Sequence, residues 1–116
     1  MTMKSSDMDD NATSAALERY RAAGSDLSRP MEIDFFVAAP TQDAADNVAV
    51  HAAALGFATK VEPTEATGGW TCYCTMSLIP SYANVRAIEH QLDALARTWG
   101  GHADGFGSFG NAVKSN

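Results

Sequence analysis

The segment Met31-Glu32-Ile33-Asp34-Phe35-Phe36-Val37-Ala38 lies just after Pro30 and just before Ala39-Pro40, and it alternates in character. On an extended chain Ile33, Phe35 and Val37 fall on one side, and Glu32, Asp34 and Phe36 on the other. Such alternation specifies a strand with one face turned to a core and one turned away from it. A strand cannot bury its apolar row alone, so the chain needs a second layer packed on that row.

Two helical patterns supply the layer. Thr41 caps a helix to about Leu55, with Asp43 and Asp46 near its positive end and Ala45, Val48, Ala52 and Leu55 as its buried stripe. Pro80 and Ser81 open a longer helix to about Trp99. Its Val85, Ile88, Leu92, Leu95 and Trp99 recur at intervals of 3, 4, 3 and 4. Gly56 and Gly100-Gly101 terminate the two helices.

Three more strands are expected. Residues 57–62 place Phe57, Thr59 and Val61 on one face, and residues 63–69 form a loop. Residues 70–76 alternate Trp70, Cys72, Cys74 and Met76 with Thr71, Tyr73 and Thr75. Residues 102–106 are long enough for an edge strand. A further helix precedes the first strand, from a cap at Asn11 or Ser14 to Gly24, with a thin stripe of Leu17 and Tyr20.

The succession is therefore a helix followed by βαββαβ. The expected class is α+β and ferredoxin-like: a four-stranded antiparallel sheet with two helices on one face, plus an N-terminal helix. The expected organisation is a disordered N-terminus at 1–10, helix and linker at 11–30, the ferredoxin-like domain at 31–110 and a flexible C-terminus at 111–116.

Charge narrows the function. The 116 residues carry 14 acids against 8 Lys and Arg, a net charge of −6. Nine of the acids and four of the bases fall in residues 31–116, so most of the negative charge belongs to the expected domain. A general phosphate-backbone binder needs a positive surface, and no direct nucleic-acid contact is expected. A basic protein surface, a small ligand or solubility remain as explanations. Residues 1–11 have no apolar signal region, and no stretch reaches the roughly 18 apolar residues of a membrane span, which gives the expectation of a cytoplasmic protein.

Residues able to do chemistry are few. Cys72 and Cys74 face the expected helical layer, where neither an imidazolium nor a helix N-terminus depresses a thiol pKa, so they read as buried, reduced core residues. His51, His90 and His102 are scattered and lack metal-ligand spacing. Gly105-Phe106-Gly107-Ser108-Phe109-Gly110 lacks the Lys-Ser/Thr of a phosphate loop and reads as an exit segment. No enzyme and no cofactor are expected. Asp104-Gly105 reads as a turn, as an acidic contact beside Phe106, or as both. Glu32, Asp34, Glu62 and Glu65 read either as a solvated face or as a docking site.

Several segments carry a likeness to a known family. Gly24-Ser25-Asp26 follows the leading helix, and Ile33-Asp34-Phe35-Phe36 forms the first strand. Ala54-Leu55-Gly56-Phe57 ends the next helix, and Trp70 opens the third strand. The last helix runs into Gly100-Gly101 and then Ala103-Asp104-Gly105-Phe106-Gly107. In this order they resemble the regulator of ribonuclease E activity B family over about residues 15–110. Phe106 stands where the family pattern has tryptophan, and the last residues lack the acidic stretch of the best-known members.

The resemblance implies a non-enzymatic regulator that binds ribonuclease E through its non-catalytic region and inhibits messenger RNA cleavage. On that reading the partner-binding residues are Glu32, Asp34, Phe36, Glu62, Tyr73, Asp104 and Phe106. They would meet a ribonuclease E-type endonuclease or another basic protein surface. The alternative is a small ligand-binding or immunity-type interaction domain with an unrelated partner. A ligand-binding domain would show an enclosed pocket with a perturbed acid or base inside it.

Overall fold

A computed structural model describes residues 5–112, with side chains described from Ala12 onward. In chain order the elements are α1 (Ser5–Ala22), β1 (Met31–Ala39), α2 (Gln42–Ala54), β2 (Ala58–Thr64), β3 (Gly69–Leu78), α3 (Tyr82–Arg97) and β4 (His102–Gly107). The four strands form one antiparallel sheet in the order β2-β3-β1-β4. The architecture is α+β, with three helices.

The alternation in β1 sets the layers. Ile33, Phe35 and Val37 are fully buried, Asp34 and Phe36 are half-buried, and Glu32 is exposed. In the β1–β3 register Phe35 faces Cys74 and Val37 faces Cys72. These side chains share one core with Val48 and Ala52 of α2 and with Val85, Leu92 and Ala96 of α3. A fully buried aliphatic or phenyl side chain of this size contributes about 1.5–3 kcal/mol. Both helices therefore sit over the same face of the sheet.

The caps follow the sequence. The Thr41 hydroxyl accepts from the Ala44 N–H at 3.1 Å, and the Ser81 hydroxyl accepts from the Asn84 N–H at 3.1 Å. Leu55 departs from expectation. It is the C-cap of α2 and stands 47% exposed, whereas Phe57, just past Gly56, is buried in its place. The chain turns at Gly56 before the helical stripe can complete its next step. Strand β2 continues through Pro63 to Thr64, beyond the expected loop start. At the sheet border a missing N–H leaves no ladder bond unmade.

Helix α1 begins at Ser5, so the segment expected to be disordered is helical from that residue. Asn11 and Ser14, both cap-type residues, lie inside the helix. Cap preference is a weak signal where the helix has packing to continue for. Residues 1–4 and 113–116 lie outside the described residues, and the expectation of disorder there with them. Leu17 enters the core and α1 packs against α3, which places this helix on the helical side of the sheet. Asn111, expected to be flexible, is bonded to the segment connecting α1 to β1.

Strand β4 contains an irregularity. Val37 faces Ala103 and Phe35 faces Phe106, so β4 has an extra residue between those pairs. Asp104 and Gly105 occupy it, with Gly105 at φ +95°. The expected Asp-Gly turn is thus a bulge within a strand. At the border of β4 the Ala103 N–H donates to an Asp93 carboxylate oxygen of α3 at 2.9 Å.

Candidate functional site

The sheet face away from the helices is built row by row from the register. Phe36 of β1, Tyr73 of β3 and Lys60 of β2 form one row. Asp34, Thr75 and Ala58 form the next, and Ala38, Thr71 and Glu62 form another. Glu32 faces Ser77 at the start of β1.

Each row has its own chemistry. The Phe36 and Tyr73 rings meet edge to face, with centroids 5.6 Å apart. Phe36 also lies against Gly107 of β4, where an added Cβ would stand 3.1 Å from the ring. The Asp34 carboxylate accepts a 2.5 Å hydrogen bond from the Thr75 hydroxyl. Glu62 pairs with Lys60 at 3.0 Å, and this hydrogen bond, with the attraction behind it, raises the Lys60 pKa. The Thr64 and Thr71 hydroxyls bond to one another at 2.5 Å. Lys60 answers Glu62, whereas among the described residues no cation pairs with Glu32 or Asp34, which share the outer side of β1.

Five of the seven expected contact residues therefore share one surface: Glu32, Asp34, Phe36, Glu62 and Tyr73. Asp104 is exposed in the neighbouring bulge. Phe106 does not join them. Its ring lies 6.0 Å from Phe35 and 6.4 Å from Tyr20, on the helical side. Strict alternation from the inward Ala103 would have turned Phe106 outward, and the extra residue of the bulge reverses it.

A second concave region lies between α1, α3 and β4. It is a cleft of about 600 Å³ lined by Thr13, Arg19, Arg86, Glu89, Asp93 and Phe106, among others. Most of its charges are matched within it. Arg86 and Glu89, each side chain only 12% exposed, pair at 3.0 Å. The Thr13 hydroxyl donates to Glu89 at 2.8 Å, and Arg86 lies 3.0 Å from the His90 ring Nε2. Arg97 bonds Asp93 at 2.8 Å. Burial alone would raise the Asp93 pKa, but the Arg97 guanidinium and the Ala103 N–H outweigh it and hold the carboxyl below its usual range. The cleft is the polar seam by which α1 is held to α3.

The remaining candidates are structural. Cys72 and Cys74 are fully buried with sulfurs 3.8 Å apart, and the hydrogen bond between them, reinforced by burial, pushes the Cys74 thiol well up. The same bond lowers the Cys72 thiol, yet both sulfurs are sealed in the core, and a thiol that no substrate can reach is not a nucleophile. His51 Nδ1 lies 2.9 Å from the Asn47 carbonyl, and its ring rests 4.8 Å from that of Trp99. Trp99 is half-buried, beyond the end of α3, and does not close a fully buried stripe. Among the described residues no group of three or more His, Cys, Asp or Glu could hold a metal ion, and no helix is long and apolar enough to cross a membrane.

The sequence reading overlooked Phe109, which is fully exposed beside the start of β1. Its signal was an aromatic residue in a glycine-rich segment where nothing requires one. A family model described as regulator of ribonuclease activity B matches residues 10–108, from within α1 to just past β4. No curated protein matches the chain.

Proposed function

The chain belongs to the regulator of ribonuclease activity B family, and from that premise we propose that it is a non-enzymatic cytoplasmic protein that binds a ribonuclease E-type endonuclease and modulates RNA decay. The family match over residues 10–108 carries this reading. The βαββαβ succession and the β2-β3-β1-β4 sheet order support a ferredoxin-like domain. Its outer sheet face serves as the docking surface. Glu32 and Asp34 attract a basic segment of the endonuclease and speed its arrival. Phe36 and Tyr73 hold the complex once water is excluded. The occupied segment can then no longer serve RNA or other proteins.

The test is a titration of the purified protein into ribonuclease E and into its isolated non-catalytic region, with RNA cleavage followed in parallel. The expected result is saturable binding that weakens as salt rises, together with slower cleavage. No binding at low salt would remove the reading.

A further inference from the structure

Phe109 is fully exposed, at 101% of its reference accessibility, yet the segment that carries it is held at several points. The Ser108 hydroxyl donates to the Glu32 carbonyl at 2.6 Å and accepts from the Gly110 N–H at 2.9 Å. The Asn111 N–H donates to the Ser25 hydroxyl at 3.1 Å. The Asn111 side chain accepts from the Asp26 N–H at 2.7 Å and donates to the carbonyls of Asp26 and Pro30 at 2.9 and 3.1 Å. Gly110 adopts φ +77°, and a Cβ there would collide with the Ser25 hydroxyl. The phenyl ring is thus carried on a fastened loop and not on a frayed end.

A chain left to itself has no use for this arrangement. A flexible tail would let the ring fold back onto apolar surface, while a fastened loop keeps it in water. Holding an aromatic side chain ready in this way lowers the ordering cost of binding. Its place also matters. The Ser108–Glu32 bond sets Phe109 beside the start of β1, where Glu32 and then Asp34 follow. Gly107, two residues earlier, pairs with Asp34 and lies under the Phe36 ring. Among the described residues no ion pair involves Glu32 or Asp34.

We propose that Phe109 is the apolar anchor of the docking surface, seated in an apolar pocket of the endonuclease while Glu32 and Asp34 meet basic residues flanking that pocket. This rests on the function proposed above and adds the kind of partner site it requires: an apolar pocket bordered by Lys or Arg. A second copy of the chain is the poorer occupant, because it would bring two acidic faces together.

The experiment measures binding to the non-catalytic region of ribonuclease E by calorimetry, with wild type, Phe109→Ala, Phe109→Leu and Val50→Ala. Val50 is an exposed apolar residue on α2 and serves as the control. Phe109→Ala should weaken binding about ten- to thirty-fold with an unchanged melting temperature. Phe109→Leu should recover part of the loss, and Val50→Ala should bind as wild type does. Wild-type binding that Phe109→Ala leaves intact overturns the anchor alone. Absence of wild-type binding overturns the functional reading and the anchor with it. A wild-type dimer that Phe109→Ala converts to a monomer in sedimentation overturns the endonuclease as the occupant.

Discussion

The Phe36 ring meets the Tyr73 ring edge to face across β1 and β3, at an interplanar angle of 85°. A directly opposed aromatic pair on an open sheet face stabilises the sheet as well as offering a surface. A double-mutant cycle with Phe36→Leu and Tyr73→Leu should give a coupling of about 0.5–1.5 kcal/mol in urea denaturation. Additive losses would show that the two rings act independently.

The acidic pair on β1 is expected to govern association and not stability. Glu32→Lys combined with Asp34→Asn reverses one charge and removes the other, while the amide still accepts from Thr75. Stopped-flow association with the endonuclease at low salt should slow about ten-fold, and its salt dependence should flatten. Thermal melting should stay near that of wild type. An unaltered on-rate would place the docking surface elsewhere.

Glu89 is the acceptor shared by Thr13 of α1 and Arg86 of α3. Glu89→Ala should destabilise the protein by about 2–3 kcal/mol, somewhat less than the loss of a fully buried ion-pair partner. Glu89→Gln, which keeps an acceptor, should cost less. Hydrogen exchange should quicken first in α1 and leave β1 and β3 protected.

Asp93 ties acid stability to the α3–β4 contact. Its folded pKa lies below the ordinary value of 3.8. Its contribution is therefore present above that value and is lost as pH falls below it, through the lowered folded pKa. Asp93→Asn should be less stable than wild type at pH 6, and the difference should shrink as pH falls toward 3. A difference that stays constant with pH would mean that the carboxylate charge contributes nothing.

Trp99 packs against His51 while still half open to solvent. Trp99→Ala should cost about 1–2 kcal/mol in urea denaturation, less than a fully buried tryptophan would. A loss above about 3 kcal/mol would mean that the ring is more deeply packed than its exposure indicates.

The periodic elements were the legible part of the sequence. The alternation of β1 and β3 and the stripe of α3 specify burial directly, because burial follows the backbone period. Caps at Thr41 and Ser81 were legible for the same local reason. What escaped was set by contacts far apart in sequence. The bulge at Asp104-Gly105 adds a residue to β4, and no local signal distinguishes it from a turn. It alone carried Phe106 from the expected contact surface to the helical side, where the ring packs half-buried against the core. The start of α1 was obscured because its apolar stripe is confined to Leu17 and Tyr20, well after Ser5, while the rest of its docking on α3 includes the polar Thr13–Glu89 bond. Phe109 was hidden in a run of glycines that resembles a loose tail until Asn111 is seen to fasten it.

Each border of the sheet has a position at which a visiting strand finds no free N–H. On β2, Pro63 has no N–H to offer and Lys60 carries a charge; on β4, Asp93 occupies the Ala103 N–H. A visiting strand therefore loses backbone bonds at those positions, and so do copies of the protein that pair edge to edge. The side chains of the open face, by contrast, are replaceable without disturbing the ladder beneath. Edges obstructed in this way leave the open face free to change by single substitutions while the scaffold stays constant.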